Sequence, residues 1–95
     1  MNSALRWLTG RFPVNRAREM AQNYQDLFDS PEGRAVLADL ADYCNATQSS
    51  FVPGDPCETA YREGARRVYL HICQCAGLNA ADFQIKQQLE RYYND

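Results

Sequence analysis

From about Asn15, apolar side chains recur at Ala17, Met20, Ala21, Tyr24, Leu27 and Phe28, with Arg18, Glu19, Gln22 and Gln25 off the stripe. That i, i+3, i+4, i+7 spacing predicts a first helix running to about Asp29. Ser30-Pro31 sets the next start, because a serine hydroxyl accepts from the orphan amides of a first turn and proline there gives up no hydrogen bond. The second helix carries Val36, Leu37, Leu40, Tyr43 and Cys44 as its apolar stripe, and Asn45 supplies a left-handed stop. Residues 46–54 form a polar connection that Phe51 and Val52 are expected to pin to the core. Asp55-Pro56-Cys57-Glu58 has capping-box spacing with Asp as the N-cap, so a third helix begins there and ends at Gly77. It spans about twenty residues, or roughly 30 Å. Ala60, Tyr61, Gly64, Val68, Ile72 and Cys75 share one of its faces. Gly64 costs about 1 kcal/mol against Ala in a helix interior, which predicts that another backbone crosses closely there and that Gly64→Leu is disruptive. Asn79 caps a last helix, with Leu78 stapled to Phe83 and with Ile85, Leu89, Tyr92 and Tyr93 continuing its stripe. No alternating β-branched run is present, and the predicted fold is all-α: a small four-helix domain over residues 16–95.

Residues 1–15 fit this pattern less well. Ala4-Leu5-Arg6-Trp7-Leu8 makes one apolar turn, and Gly10 and Pro13 then interrupt any continuous helix, so the segment is read as an N-terminal arm. Charge sets it apart as well. Residues 1–18 carry Arg6, Arg11, Arg16 and Arg18 with no acid, whereas the other six cations share the rest of the chain with all twelve acids, for a net charge of −2 overall. In the arm, Trp7, Leu8 and Phe12 interleave with arginines, and a cationic-aromatic segment of this kind docks on a protein partner, a nucleic acid or a membrane surface. Arg6, Trp7, Arg11 and Phe12 are therefore the first candidate binding residues. Arg62, Arg66 and Arg67 form a second basic cluster, open to a nucleic acid, to an acidic partner, or to pairing with Glu58, Glu63 and neighbouring acids. Six Tyr, four Phe and one Trp are more aromatics than a core of this size needs, which favours an assembly component over a monomer.

Ninety-five residues allow one small domain with a modest core. The apolar run Val68-Tyr69-Leu70-His71-Ile72-Cys73 is far too short to span a bilayer, and the N-terminus lacks the apolar run of a signal peptide, so synthesis in the cytoplasm is expected. Cys44, Cys57, Cys73, Cys75 and His71 invite a zinc reading. Cys73 and Cys75 diverge around a helix and cannot chelate one ion, whereas His71 and Cys75 at i, i+4 share a face. Free cysteines usually act as small core hydrophobes, and a Cys44–Cys57 disulfide is the one bridge the spacing entertains. His71 has no Ser, Asp or Glu at a recognisable catalytic spacing, and Glu58 with Glu63, or Asp39 with Asp42, read as caps and solvated positions. No catalytic residue, cofactor, metal or small-molecule substrate is expected.

Phe28-Asp29-Ser30-Pro31-Glu32-Gly33-Arg34-Ala35-Val36-Leu37, with Leu40, Cys44, Phe51, Asp55-Pro56, Thr59-Ala60, Glu63-Gly64, Arg66 and Ile72 after it, resembles a small family of phage-encoded proteins. Its members sit among the virion genes of short-tailed bacteriophages, near the portal and capsid genes. The resemblance covers about residues 24–76 and implies a non-enzymatic virion-associated or assembly protein, made in the host cytoplasm and located in the virion. It leaves open the capsid shell, the portal and tail junction, and the head interior as an ejected protein. Expected partners are other virion proteins (portal, tail or internal), a homo-oligomer in which portal-proximal copies repeat heterologous interfaces around an axis, and weak genome contact through the arm. Two rivals come from other classes: a small nucleic-acid-binding regulator, and a non-virion effector acting on a host protein.

Overall fold

The computed structural model describes residues 3–78 and Phe83, and the described elements are helices α1 (Ser3–Arg11), α2 (Val14–Phe28), α3 (Pro31–Tyr43) and α4 (Pro56–Ala76). The all-α class is as the hydrophobic pattern predicts, and the described residues include no strand. The last predicted helix, from Asn79 onward, lies outside the described residues except at Phe83, which is helical.

The helix boundaries follow the capping chemistry. Ser30 Oγ accepts from the Gly33 amide at 2.9 Å, and the Asp55 carboxylate accepts from the Glu58 amide at 2.9 Å, with Pro31 and Pro56 filling the first helical positions. Asn45 adopts φ 51°, the left-handed stop expected after α3. Gly77 instead closes α4 at φ −88°, in the right-handed region. Gly33 is obligatory for a different reason: a Cβ there would overlap the Leu27 carbonyl oxygen and come within 2.7 Å of Phe28 Cα, so α2 and α3 meet backbone to backbone in a two-residue turn.

The N-terminal segment departs from the sequence reading. Residues 3–11 are helix α1, and Ala4, Leu5 and Leu8 are among the most buried side chains of the protein, at 0, 5 and 2% exposure. Gly10 is exposed within the helix, and Pro13 falls after its end, at the N-cap of α2, so neither interrupts it. The helix cost of Gly10, about 1 kcal/mol, is smaller than the roughly 1.5–3 kcal/mol gained by burying each leucine. α1 packs against both α2 and α4, and Ser3 Oγ donates to Gln74 Oε1 at 2.9 Å to tie its start to the far end of α4. The core is a single cluster in which Ala17 and Ala21 of α2 and Cys75 of α4 meet these residues together with Leu78 and Phe83. Leu78 and Phe83 both belong to this cluster, and the Asn79 cap of the predicted staple lies outside the described residues.

Other apolar positions point outward, contrary to the sequence pattern. Leu27, Val36, Tyr43, Tyr61 and Val68 are all more than half exposed. Phe51 is 68% exposed and does not pin the connection. Thr59 holds it instead, its hydroxyl accepting from the Val52 amide at 2.9 Å. No atom lies within 4 Å of a Cβ placed on Gly64, so the close helix crossing predicted there is absent among the described residues. The physical reason is common to these cases. The core concentrates where α1 crosses α2 and the C-terminal half of α4, and the remaining helix faces extend past it in a flat molecule of 51 × 34 × 17 Å. Its radius of gyration is 16.0 Å, against about 12 Å for a compact chain of this length.

Two glycines give opposite expectations. Gly33→Ala should lower stability by at least the roughly 1–3 kcal/mol of an overpacked core, because the turn must open. Gly64→Ala should be neutral or should stabilise by up to about 1 kcal/mol, since the new methyl meets open space and helix propensity rises. Leu8→Ala should cost about 2–5 kcal/mol if α1 is an integral core helix, and close to nothing if it is a detached arm. Urea unfolding followed by far-UV circular dichroism at low protein concentration measures all three.

Candidate functional site

Helix α1 turns Ala4, Leu5 and Leu8 inward, which leaves Trp7 on the flank beside α4, 56% exposed. There it meets His71 edge to face, with ring centroids 6.3 Å apart and planes at 86°. Tyr24 of α2 approaches the same imidazole at 6.2 Å and 87°. His71 therefore sits between two aromatic rings supplied by two other helices. The Arg11 guanidinium lies 6.0 Å from the Trp7 ring centroid and 5.6 Å from that of Phe12, within cation–π range of both. Trp7, Tyr24, Gly64, Arg67, Val68 and His71 line an open groove of about 700 Å³ between α1, α2 and α4. Gly64 has no side chain to fill it, which is the structural role that replaces the predicted helix crossing.

The groove brings together candidates that are remote in sequence. Trp7 and Arg67 line it, and Arg11 covers the outer face of Trp7. Phe12 is half-buried against the core cluster. Arg6 is exposed on α1 and has no ion-pair partner among the described residues. The second basic cluster splits: Arg62 pairs with Glu58 at 3.0 Å and Arg66 with Glu63 at 3.4 Å, whereas Arg67 has no acid within reach among the described residues. Among the described residues Arg67 is also the one charged side chain lining the groove, beside the rings of Trp7, Tyr24 and His71. Tyr24, Gly64 and His71 were legible only as core, crossing point and helix-face positions. Nothing in their local spacing signals a shared groove, because the α1 crossing creates it.

His71 Nε2 and Cys75 Sγ are 3.5 Å apart, the i, i+4 geometry expected of these two residues. The pair has the outline of a nucleophile and a base, but its electrostatics differ from those of an activated thiol. Cys75 is fully buried, and that burial pushes its thiol up to about 11, so the nucleophilic thiolate is scarce at neutral pH. Among the described residues no group of three His, Cys, Asp or Glu side chains converges as a metal site. The four cysteines are free thiols, with Cys44 and Cys75 buried, Cys73 half-buried and Cys57 exposed. The core reading therefore holds for Cys44 and Cys75 and not for Cys57. Burial, followed by the Cys75 charge, raises Tyr24 above its ordinary range, and a hydrogen bond with Cys73, followed by burial, raises Tyr69.

The described residues define a small helical protein with an open groove lined by aromatic side chains and Arg67. The chain belongs to the family of Bbp19-like phage proteins, whose profile it matches over residues 24–90. The match takes in Tyr24, Gly64, Arg67 and His71 and begins after α1, so Trp7 and Arg11 lie outside it. Comparison with curated proteins and with solved structures gives no match. None of the described helices is long and apolar enough to cross a membrane.

The thiol chemistry gives two expectations. At pH 8 the exposed Cys57 should react with a disulfide reagent well before the others, and Cys75 only on unfolding. Between pH 9 and about 11 the unfolded chain ionises Cys75 while the folded chain keeps it protonated, so stability falls as pH rises through that window. The raised Tyr24 and Tyr69 extend the fall in the same direction. Urea midpoints measured from pH 8 to pH 10.5 should decline, and decline less in Cys75→Ala.

Proposed function

We propose that this Bbp19-like phage protein is a non-enzymatic structural or assembly component of a tailed-phage particle, located at the portal and head-to-tail region or carried inside the head as an ejected protein. The observation that carries this reading is the surface. Among the described residues the chain exposes large apolar side chains, and Trp7, Phe51, Tyr61 and Val68 are each more than half exposed. A chain that spends its aromatics outside its core is suited to burial in an assembly. Membership of a phage family supports a phage context for that assembly, and the unactivated Cys75–His71 pair fits a non-catalytic role. With Arg62 and Arg66 paired to glutamates, the basic cluster on α4 leaves Arg67 alone without an acid among the described residues, which favours protein partners there and leaves genome contact weak.

Quantitative mass spectrometry of purified particles, before and after genome ejection, tests the reading. The expected result is a fixed ratio of this chain to the portal protein, retained after ejection for a head-to-tail component or lost with the genome for an ejected one. Absence from particles in both states contradicts it and favours a non-virion effector or regulator.

A further inference from the structure

The outward face of α3 is chemically opposite to the groove. Glu32, Val36, Asp39 and Tyr43 fall at i, i+4, i+7 and i+11, one stripe about 16 Å long, and all four are exposed. Val36 is 53% and Tyr43 83% exposed, and neither Glu32 nor Asp39 has an ion-pair partner among the described residues. This face alternates acidic and apolar side chains, and no helix among the described residues lies on it. The groove offers the converse: aromatic and aliphatic walls from Trp7 and Val68, with Arg67, which has no ion-pair partner among the described residues, and with Arg11 beside Trp7.

We propose that the α3 stripe of one copy docks in the α1–α2–α4 groove of a second copy. The inference goes beyond the assembly role and does not depend on it, since it rests on two surfaces of this chain. Two observations converge on a second copy as the occupant. The surfaces complement each other in charge, with acids on the stripe and, at the groove, arginines that have no ion-pair partner among the described residues. Each pairs its charges with exposed apolar groups, Val36 and Tyr43 on one side and Trp7 and Val68 on the other, as the centre of a stable interface requires. A nucleic acid in the groove would leave the α3 stripe without a role. Because stripe and groove use different residues, the contact is head to tail, and repetition closes a ring or extends a filament.

Size-exclusion chromatography with light scattering tests this on the full chain with two double variants. Trp7→Ala/Arg67→Glu disables the groove, and Asp39→Arg/Tyr43→Ser disables the stripe. All four positions are outside the core, and far-UV circular dichroism confirms folding. The single variants Trp7→Ala and Tyr43→Ser serve if a double variant does not fold, each expected to weaken association about tenfold or more. The wild-type chain should exceed monomer mass in a concentration-dependent, salt-sensitive manner, and each double variant alone should be monomeric. An equimolar mixture should form a one-to-one dimer and nothing larger, because one intact groove then meets one intact stripe. A wild-type monomer at high concentration and low salt overturns the proposal. So does wild-type association that survives either double variant, or a mixture of the two that stays monomeric while the wild type assembles. Mass-spectrometric detection in particles is independent of these outcomes, so failure of the docking leaves the assembly reading standing, and the reverse.

Discussion

Leu5 and Leu8 of α1, wedged against α2 and α4, are the contacts on which the rest of the molecule depends. Facing them, α2 contributes only two alanines to the buried cluster, and α4 a single cysteine. Small residues on the receiving helices let α1 come close, and the leucines fill the space that results. Removal of either leucine would take a large share of the apolar area that offsets the entropy of ordering the chain. The N-terminal helix is therefore the keystone of a core with few large side chains, and the Ser3–Gln74 hydrogen bond holds its first turn in register.

The same crossing generates the groove. A helix that buries Ala4, Leu5 and Leu8 must carry Trp7 along its flank, and α4 offers a ledge there because Gly64 lacks a side chain. His71 then falls between Trp7 and Tyr24. The economy of the core and the richness of the surface have one origin. With the buried cluster of the described residues confined to one crossing, the outer faces of α3 and α4 keep their valines and tyrosines in solvent, and the proposed assembly would cover them.

Local chemistry was legible in the sequence wherever a single residue type dictates it. Ser30 and Asp55 had to cap, Pro31 and Pro56 had to follow them, and Asn45 had to turn left-handed. Periodicity also located α2, α3 and α4. It did not reveal which face of each helix is covered, because a stripe of Val36 and Tyr43 looks the same whether it meets the core or a partner. Gly10 and Pro13 read as breakers, yet one is tolerated inside a short helix and the other begins the next. Gly64 signalled a close approach and lies instead at an open groove. Trp7 and Arg67 stood out as candidates by type, whereas their meeting, with His71 and Tyr24 between helices, is a tertiary fact that no local pattern encodes.

The central proposal is that this chain associates and gains stability by covering its exposed apolar faces. Thermal unfolding measured over a wide range of protein concentrations tests it most directly, because association of folded chains makes the midpoint depend on concentration. The account predicts a midpoint that climbs steadily with concentration and falls back when salt screens the charged surfaces. A midpoint independent of concentration would contradict it and would mark the exposed tyrosines and valines as surface that the monomer tolerates.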